Sequence, residues 1–242
     1  MIMSNQNDVI LQFEKASRSF GTGGAHVDAL LPASFVVRQS ELVAIMGPSG
    51  SGKTTILSLA GAMDQPSGGR VCFEGQDIAK LSGRKIAQLR RRRIGYVFQE
   101  FNLMLGLTAV ENVALPLELD GISIRESREA ALEALGRVNM RELSERFPDN
   151  LSGGEQQRVA IARSFVGTRD LLLADEPTGA LDSGNGEIVM RILREQCDEG
   201  RSVLLVTHNA SHAAWADRVI FLKDGKIVDE SPAPSSDPEV AS

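Results

Sequence analysis

Several things that would direct a sequence toward the membrane, the exterior or nucleic acid are scarce here. Cysteine occurs twice in 242 residues, as Cys72 and Cys197, too few and too far apart for a disulfide framework or a thiolate metal site. Free, structurally neutral thiols are expected. No apolar run approaches the roughly 20 residues needed to span a bilayer; the longest, such as Val203-Leu204-Leu205-Val206, have the length of a strand. The chain is therefore not expected to cross a membrane by itself. The opening residues, Met1 to Asp8, lack the basic stretch and apolar core of a secretory signal, and a cytosolic address is expected. Positive charge is also short: 26 Lys and Arg stand against 32 Asp and Glu, a net charge of −6. No nucleic-acid partner is expected, because a phosphate-backbone surface needs the opposite balance.

What is present is an alternation of strand-like and helix-like segments, the pattern of a mainly parallel sheet flanked by helices. Val9, Leu11 and Phe13 alternate with other residues, as do Phe35 and Val37 before Arg38-Gln39-Ser40, so both segments read as strands with one buried face. Leu42 to Met46 is continuously apolar and stops at Gly47-Pro48, as a strand buried on both faces would. Leu171 to Ala174 and Val203 to Val206 repeat that pattern, ending in Asp175-Glu176 and Thr207-His208. All three runs deliver polar residues to a strand's carboxyl end, where open α/β sheets bind ligands. From about Phe101 to Val166 the strand signal disappears and helix formers take over, with Ala130, Ala131, Leu132, Ala134, Leu135 and Val138 at helical spacing. Val219 to Leu222, Lys223-Asp224-Gly225 and Lys226 to Val228 form an expected hairpin whose Asp-Gly supplies the positive-φ turn. The segment from Ser231, with Pro232, Pro234 and Pro238, reads as an irregular tail.

Gly47-Pro48-Ser49-Gly50-Ser51-Gly52-Lys53-Thr54 fits the phosphate-loop pattern G-x-x-x-x-G-K-[ST], and it lies between a buried strand and an expected helix from Thr55 to Ala62. Glycines let backbone N–H groups turn inward around polyphosphate oxygens, and the following helix adds its positive end. Lys53 supplies a mobile charge for the terminal phosphates and the Thr54 hydroxyl suits Mg²⁺. At the tip of a neighbouring strand, Asp175 is placed to hold Mg²⁺ and Glu176 to act as general base on an attacking water. Standing alone, an Asp-Glu pair would read as two solvated acids; the apolar run before it and Lys53 upstream argue against that.

Leu151-Ser152-Gly153-Gly154-Glu155-Gln156-Gln157-Arg158 narrows the class, because it resembles the signature sequence of the ATP-binding-cassette (ABC) ATPases. The resemblance runs from about Val9 to Asp229, with every motif in order. It implies an α/β, P-loop NTPase fold of the ABC type: a RecA-like core, an N-terminal antiparallel β subdomain and an inserted α-helical signature subdomain. It places one ABC ATPase domain over 1–230, with the helical subdomain at about 101–168 and the tail at 231–242. It implies head-to-tail dimerisation, in which Ser152, Gly153, Gly154 and Glu155 of one copy close on ATP held by Gly47 to Thr54 and Thr55 of another. Gln99, in Val97-Phe98-Gln99-Glu100, matches the glutamine loop that touches Mg²⁺ and links core to helical subdomain. Asp182, in Ala180-Leu181-Asp182, matches the loop at the dimer interface. His208 matches the switch histidine that contacts the γ-phosphate and orients Glu176. Phe20 aligns with an aromatic that stacks on adenine, where tyrosine is commoner.

Asp175 to Asp182 and Glu111 to Leu117 further resemble the MacB/LolD-like branch, whose ATPase subunits pair with a separate integral membrane permease for export of peptides, drugs, lipoproteins or haem, or for mechanotransmission. That resemblance implies a transport-coupled ATPase on the cytoplasmic face of the cell membrane. A regulatory or scaffolding ATPase of a cell-envelope complex is the rival reading. A nucleic-acid or ribosome-acting ABC ATPase fits less well, because the chain has one compact cassette and no heptad stretch. The run Arg90-Arg91-Arg92-Arg93 is expected to be a solvated or acid-paired surface segment rather than a lipid or nucleic-acid patch; because it lies shortly before Gln99, near where the resemblance places the membrane partner, a contact with that partner is the further alternative.

Overall fold

The computed structural model describes residues 8–21 and 26–232; the expectations for Met1 to Asn7 and for 233–242 fall outside them. Two sheets organise the chain. The smaller is antiparallel, in the order β2 (Val27–Arg38), β1 (Val9–Phe20), β4 (Gly68–Phe73), β5 (Gln76–Asp77). The larger has six strands in the order β10 (Lys226–Pro232), β9 (Arg218–Lys223), β3 (Leu42–Met46), β8 (Ser202–Thr207), β7 (Leu171–Asp175), β6 (Ile94–Val97). All its pairings are parallel except the β9–β10 hairpin. The helices are α1 (Lys53–Ala60), α2 (Gly83–Arg92), α3 (Ala109–Glu118), α4 (Ile124–Arg137), α5 (Gly153–Phe165), α6 (Ser183–Asp198) and α7 (Ala210–Ala213).

The continuous apolar runs become central strands because each face of the parallel sheet has its own cover. Leu42 and Ala44 of β3, Leu172 and Ala174 of β7, and Val203 and Leu205 of β8 join one apolar cluster with residues of α3 to α6. Val43, Ile45, Leu171, Leu173, Leu204 and Val206 join the other, with Ile56 and Leu57 of α1 and Phe13, Phe35 and Val71 of the antiparallel sheet. Period-2 alternation thus sends successive side chains to two different cores. Each fully buried Leu or Ile contributes about 1.5–3 kcal/mol.

Between β6 and β7 the chain is helical, but not from Phe101. Residues 101–108 form no helix, and α3 begins only where Thr108 and Glu111 close a reciprocal capping box. The 101–108 loop is tied down by Asn112, wholly buried, whose Nδ2 donates to the carbonyls of Met104, Leu107 and Thr108 while its Oδ1 accepts from Met104 N.

Other boundaries also move. The first helix starts at Lys53 rather than Thr55 and stops at Ala60, because the phosphate loop itself feeds the helix and Gly61 caps it. Ser231 and Pro232 extend β10, pairing with Val219 and Arg218, so the expected irregular tail begins two residues too early. The hairpin turn is as expected, with Asp224 at φ 48° and Gly225 at φ 75°. Both cysteines are free and buried; burial pushes the Cys197 thiol up to about 12, so it stays protonated.

The arginine run closes α2 and is largely acid-paired. Arg91 and Arg92 reach the two oxygens of Asp120 at 3.2 and 2.6 Å, and Arg93 pairs with Glu74 at 2.7 Å and with Asp170. Among the described residues no helix is long and apolar enough to cross a membrane.

Candidate functional site

The carboxyl ends of β3, β7 and β8 meet at a cleft of about 860 Å³ lined by Pro48, Ser49, Gly50, Gly52, Lys53, Thr54, Thr55, Gln99, Asp175, Glu176 and His208, with Val27 to Ala29 and Asp224-Gly225 along its rim. Gly47 and Ser51 support the loop from beneath. A side chain at Gly47 would meet the Leu222 carbonyl oxygen at 2.1 Å, so only glycine lets the loop pack on β9. Gly52, at φ 101°, would meet the Ala29 carbonyl at 2.3 Å and faces the same restriction. Ser51 binds the hairpin turn, its carbonyl accepting from Gly225 N at 3.0 Å.

The start of α1 differs from every other described α-helix. Ser82, Thr108, Ser123, Ser152, Asp182 and Asn209 each cap their helix with a side-chain oxygen. α1 begins at Gly52 with no side-chain cap and no acid in its first turn. Its first N–H groups and its positive dipole end therefore point into the cleft unclaimed, the arrangement that binds a phosphate anion. Lys53 Nζ donates to the carbonyls of Gly47 and Pro48 at 2.8 and 2.9 Å, which holds the ammonium over the loop and leaves its third N–H for a ligand.

Opposite the loop, Asp175 ends β7. Burial raises its carboxyl above the ordinary value; the Thr54 hydroxyl bonded to it pulls the other way, Glu176 pushes it further up and Lys53 offsets that. Glu176 follows in the left-handed region at φ 44°, a conformation that costs a non-glycine residue about 1–2 kcal/mol and is fixed here by Glu176 N donating to the Val206 carbonyl at 3.0 Å. The Glu176 side chain is mostly enclosed and meets His208 Nδ1 through Oε1 at 2.8 Å, while the imidazole is largely exposed. Gln99 lies against the same turn, its Nε2 3.2 Å from where a Gly179 side chain would begin.

The residues of the Ser152 segment do not line this cleft. Ser152 caps α5 in a reciprocal box: its Oγ accepts from Glu155 N at 3.4 Å and donates to Glu155 Oε2 at 2.9 Å, and that carboxylate accepts from Ser152 N at 2.7 Å. The hydrogen bonds from Ser152 hold the Glu155 carboxyl below the usual range. The box uses the Glu155 N–H and leaves those of Gly153 and Gly154 without a cap partner among the described residues. A side chain at Gly154 would run into Asn185 Oδ1 at 2.5 Å, and Asn185 is bonded to Asp182 through both its N and Nδ2. Signature helix and Asp182 loop are thus one packed unit.

Phe20 is not among the residues that line the cleft. It ends β1, paired with Val27 at the cleft rim, is 44% exposed, and has the Arg18 guanidinium 4.5 Å from its ring centre. One face already carries a cation.

The structure also shows contacts that sequence reasoning missed. Arg163 of α5 donates to the carbonyls of Phe101 and Asn102 at 3.0 and 2.6 Å, fastening the segment after Gln99 to the signature helix. Gln157, wholly buried, donates to the Pro177 carbonyl at 2.6 Å. Gln157 lies within the signature segment and Arg163 just beyond it, but only their partners reveal their use.

A phosphate loop after β3, an uncapped helix start and an acid pair at the end of β7, one strand removed across β8, define a P-loop nucleoside-triphosphate-binding domain. Known proteins narrow this. The family model described as "ABC transporter" matches residues 30–179. The chain is 41% identical over 222 residues to a macrolide export ATP-binding/permease protein MacB of Hyphomonas neptunium, covering 92% of this chain and 34% of that protein. A MacB of Shigella sonnei is 42% identical over 224 residues, with 93% and 35% covered. The chain therefore spans about a third of the length of these relatives. Among solved structures it resembles the dimeric post-hydrolysis state of the ATP-binding cassette MJ0796 bound to ADP and Pi, with TM-score 0.86, 38% identity and 93% and 99% of the two chains covered. It also resembles cbiO1 from Clostridium perfringens, part of an ABC transporter complex, at TM-score 0.84 and 28% identity. This chain belongs to the ABC transporter family and is a MacB-like ATP-binding cassette.

Proposed function

We propose that this cassette binds ATP in the cleft, hydrolyses it, and uses the resulting closure and opening of a head-to-tail dimer to drive a membrane permease. The observation that carries the reading is the uncapped start of α1 above Lys53, facing Asp175 and Glu176. The backbone N–H groups from Gly50 to Thr55 and the Lys53 ammonium receive the phosphates, and Phe20 meets the adenine. Thr54 and Asp175, with Gln99 at the rim, offer the hard oxygen donors that suit Mg²⁺, which when bound neutralises phosphate charge. The residues fit that ion: Asp175 is a partly desolvated carboxyl whose charged form awaits a counter-cation.

Glu176 is oriented toward the cleft by its backbone and by His208, and takes the proton of the attacking water. His208, exposed on its other side, reaches the terminal phosphate. The N–H groups of Gly153 and Gly154 and the Ser152 hydroxyl form a second anion-binding helix start that finds no phosphate within its own chain. A second copy, turned head to tail, brings it over the first copy's cleft, with Asp182 at the crossing. The unit is a homodimer of one cassette each, about 1–230, in which the helical subdomain at about 101–168 moves with the signature.

The groove of about 450 Å³ between Met63, Arg90, Tyr96, Phe98, Leu115 and Arg163 receives the permease, which places the cassette on the cytoplasmic face of the membrane. Export of a drug, peptide, lipoprotein or haem, or mechanotransmission, follows from likeness to MacB. The test is Lys53→Ala against Glu176→Gln in calorimetry and phosphate release. Lys53→Ala is expected to lose ATP binding. Glu176→Gln is expected to bind ATP and lose turnover by about 100-fold or more; hydrolysis close to the parent's would remove Glu176 as the base.

A further inference from the structure

The segment from Glu176 to Asp182 is gripped by the 207–213 stretch at two points. The first is the His208 contact with Glu176 at 2.8 Å. The second lies two residues further along the segment: Thr178 Oγ1 and His212 Nδ1 are 2.9 Å apart. Thr178 is buried, and His212, half-buried on α7, stands over Gly186 of α6. A Cβ at Gly186 would begin 3.5 Å from His212 Nε2 and 3.7 Å from Thr178 Cβ, so the pair packs closely against α6. Burial holds the His212 imidazole below its ordinary value, Glu176 acting the other way and His208 with the burial, so the neutral ring makes this bond near pH 7.

We propose that His212 is a positioning residue for hydrolysis: through Thr178 it fixes the turn that carries Glu176 at one end and Asp182 at the other. The inference rests on the assignment of Glu176 as base. Glu176 occupies a strained backbone conformation, and such a conformation persists only where its surroundings over-determine it. With the Glu176 N bond to the Val206 carbonyl, the Gln157 bond to the Pro177 carbonyl, the Thr178–His212 bond and the Gly179 N bond to the Glu176 carbonyl at 2.9 Å over-determine it, the Thr178–His212 bond standing between the Pro177 and Gly179 ones. Loosening the middle one lets the carboxylate wander from the water it must activate, and small displacements of a base are expensive in rate. Thr178 and His212 do not line the phosphate cleft, so affinity for ATP is not expected to follow.

The test uses the full chain with four variants: His212→Leu, Thr178→Val, their combination, and His212→Asn, whose amide can stand near the Nδ1 position. ATP affinity, kcat and melting midpoint are measured for each, with Glu176→Gln in parallel. The expected result is a fall in kcat of about tenfold for each single variant, ATP affinity within about twofold, no further loss in the combination, and recovery of most of the rate in His212→Asn. Should His212→Leu not fold, Thr178→Val and His212→Asn carry the comparison. Normal kcat in the single variants, losses that multiply in the combination, or a loss of affinity equal to the loss of rate would overturn the inference. If Glu176→Gln is inactive while Thr178→Val and His212→Leu turn over normally, only the positioning role falls. If Glu176→Gln itself turns over normally, the base assignment falls and this role with it.

Discussion

At the scale of single residues, the chemistry depends on side chains whose types announce it and on others whose types do not. Lys53, Thr54, Asp175 and Glu176 were legible because a fixed spacing and a buried strand before each motif leave few other uses for them. Asn112 was not legible, since an asparagine in an apolar helix reads as an exposed position until its amide is seen satisfying three carbonyls and one N–H. Replacing it with Ala strands those groups in the interior, and a loss of about 1–3 kcal/mol is expected in urea unfolding. A change under about 0.5 kcal/mol would show that water takes over the bonds. His212 belongs with Asn112: half-buried histidines are commonly ordinary, and only the Thr178 contact distinguishes this one. Phe20 is a different case: the resemblance gives its ring to adenine, and the structure adds that one face of the ring already carries Arg18.

At the scale of elements, helix starts divide the labour. Six of the described α-helices carry a side-chain cap and one does not, and the exception is the helix behind the phosphate loop. Ser123 is one of the ordinary caps, accepting from Glu126 N at 3.3 Å; Ser123→Ala is expected to cost about 1 kcal/mol by chemical denaturation, with ATP binding unchanged. The boxes at Thr108 and Ser152 add a dependence on pH. Hydrogen bonds from Thr108 and Ser152 hold Glu111 and Glu155 below the usual carboxylate value, so the folded state binds these protons more weakly than the unfolded one. Their stabilisation is whole above the unfolded glutamate value of about 4.3 and is lost as pH falls through the lower folded values. In an acid titration the Thr108→Ala, Glu111→Gln double variant should therefore lose less stability below about pH 4 than the parent, and parallel curves would contradict this. The three two-faced strands, the β9–β10 hairpin and the helical insertion were readable from periodicity. The 101–108 loop was not, because its apolar residues serve a loop pinned by Asn112 rather than a helix.

At the scale of the whole molecule, α1 and the signature helix α5 are two helix starts with unclaimed first N–H groups that do not face one cavity. The sequence showed both as motifs, but only the packing shows how they are joined: Gly154 against Asn185, Asn185 on Asp182, Gln157 on Pro177 and Arg163 on the chain after Gln99. Under the proposed function, these contacts are the path by which a movement of the signature would reach the acid pair and the groove beside Arg90. The most direct test of this two-copy account is the molar mass of the Glu176→Gln chain by light scattering, with and without ATP. The account predicts the mass of one chain without nucleotide and of two chains with saturating ATP, at one nucleotide per chain. A single-chain mass at saturating ATP would contradict it.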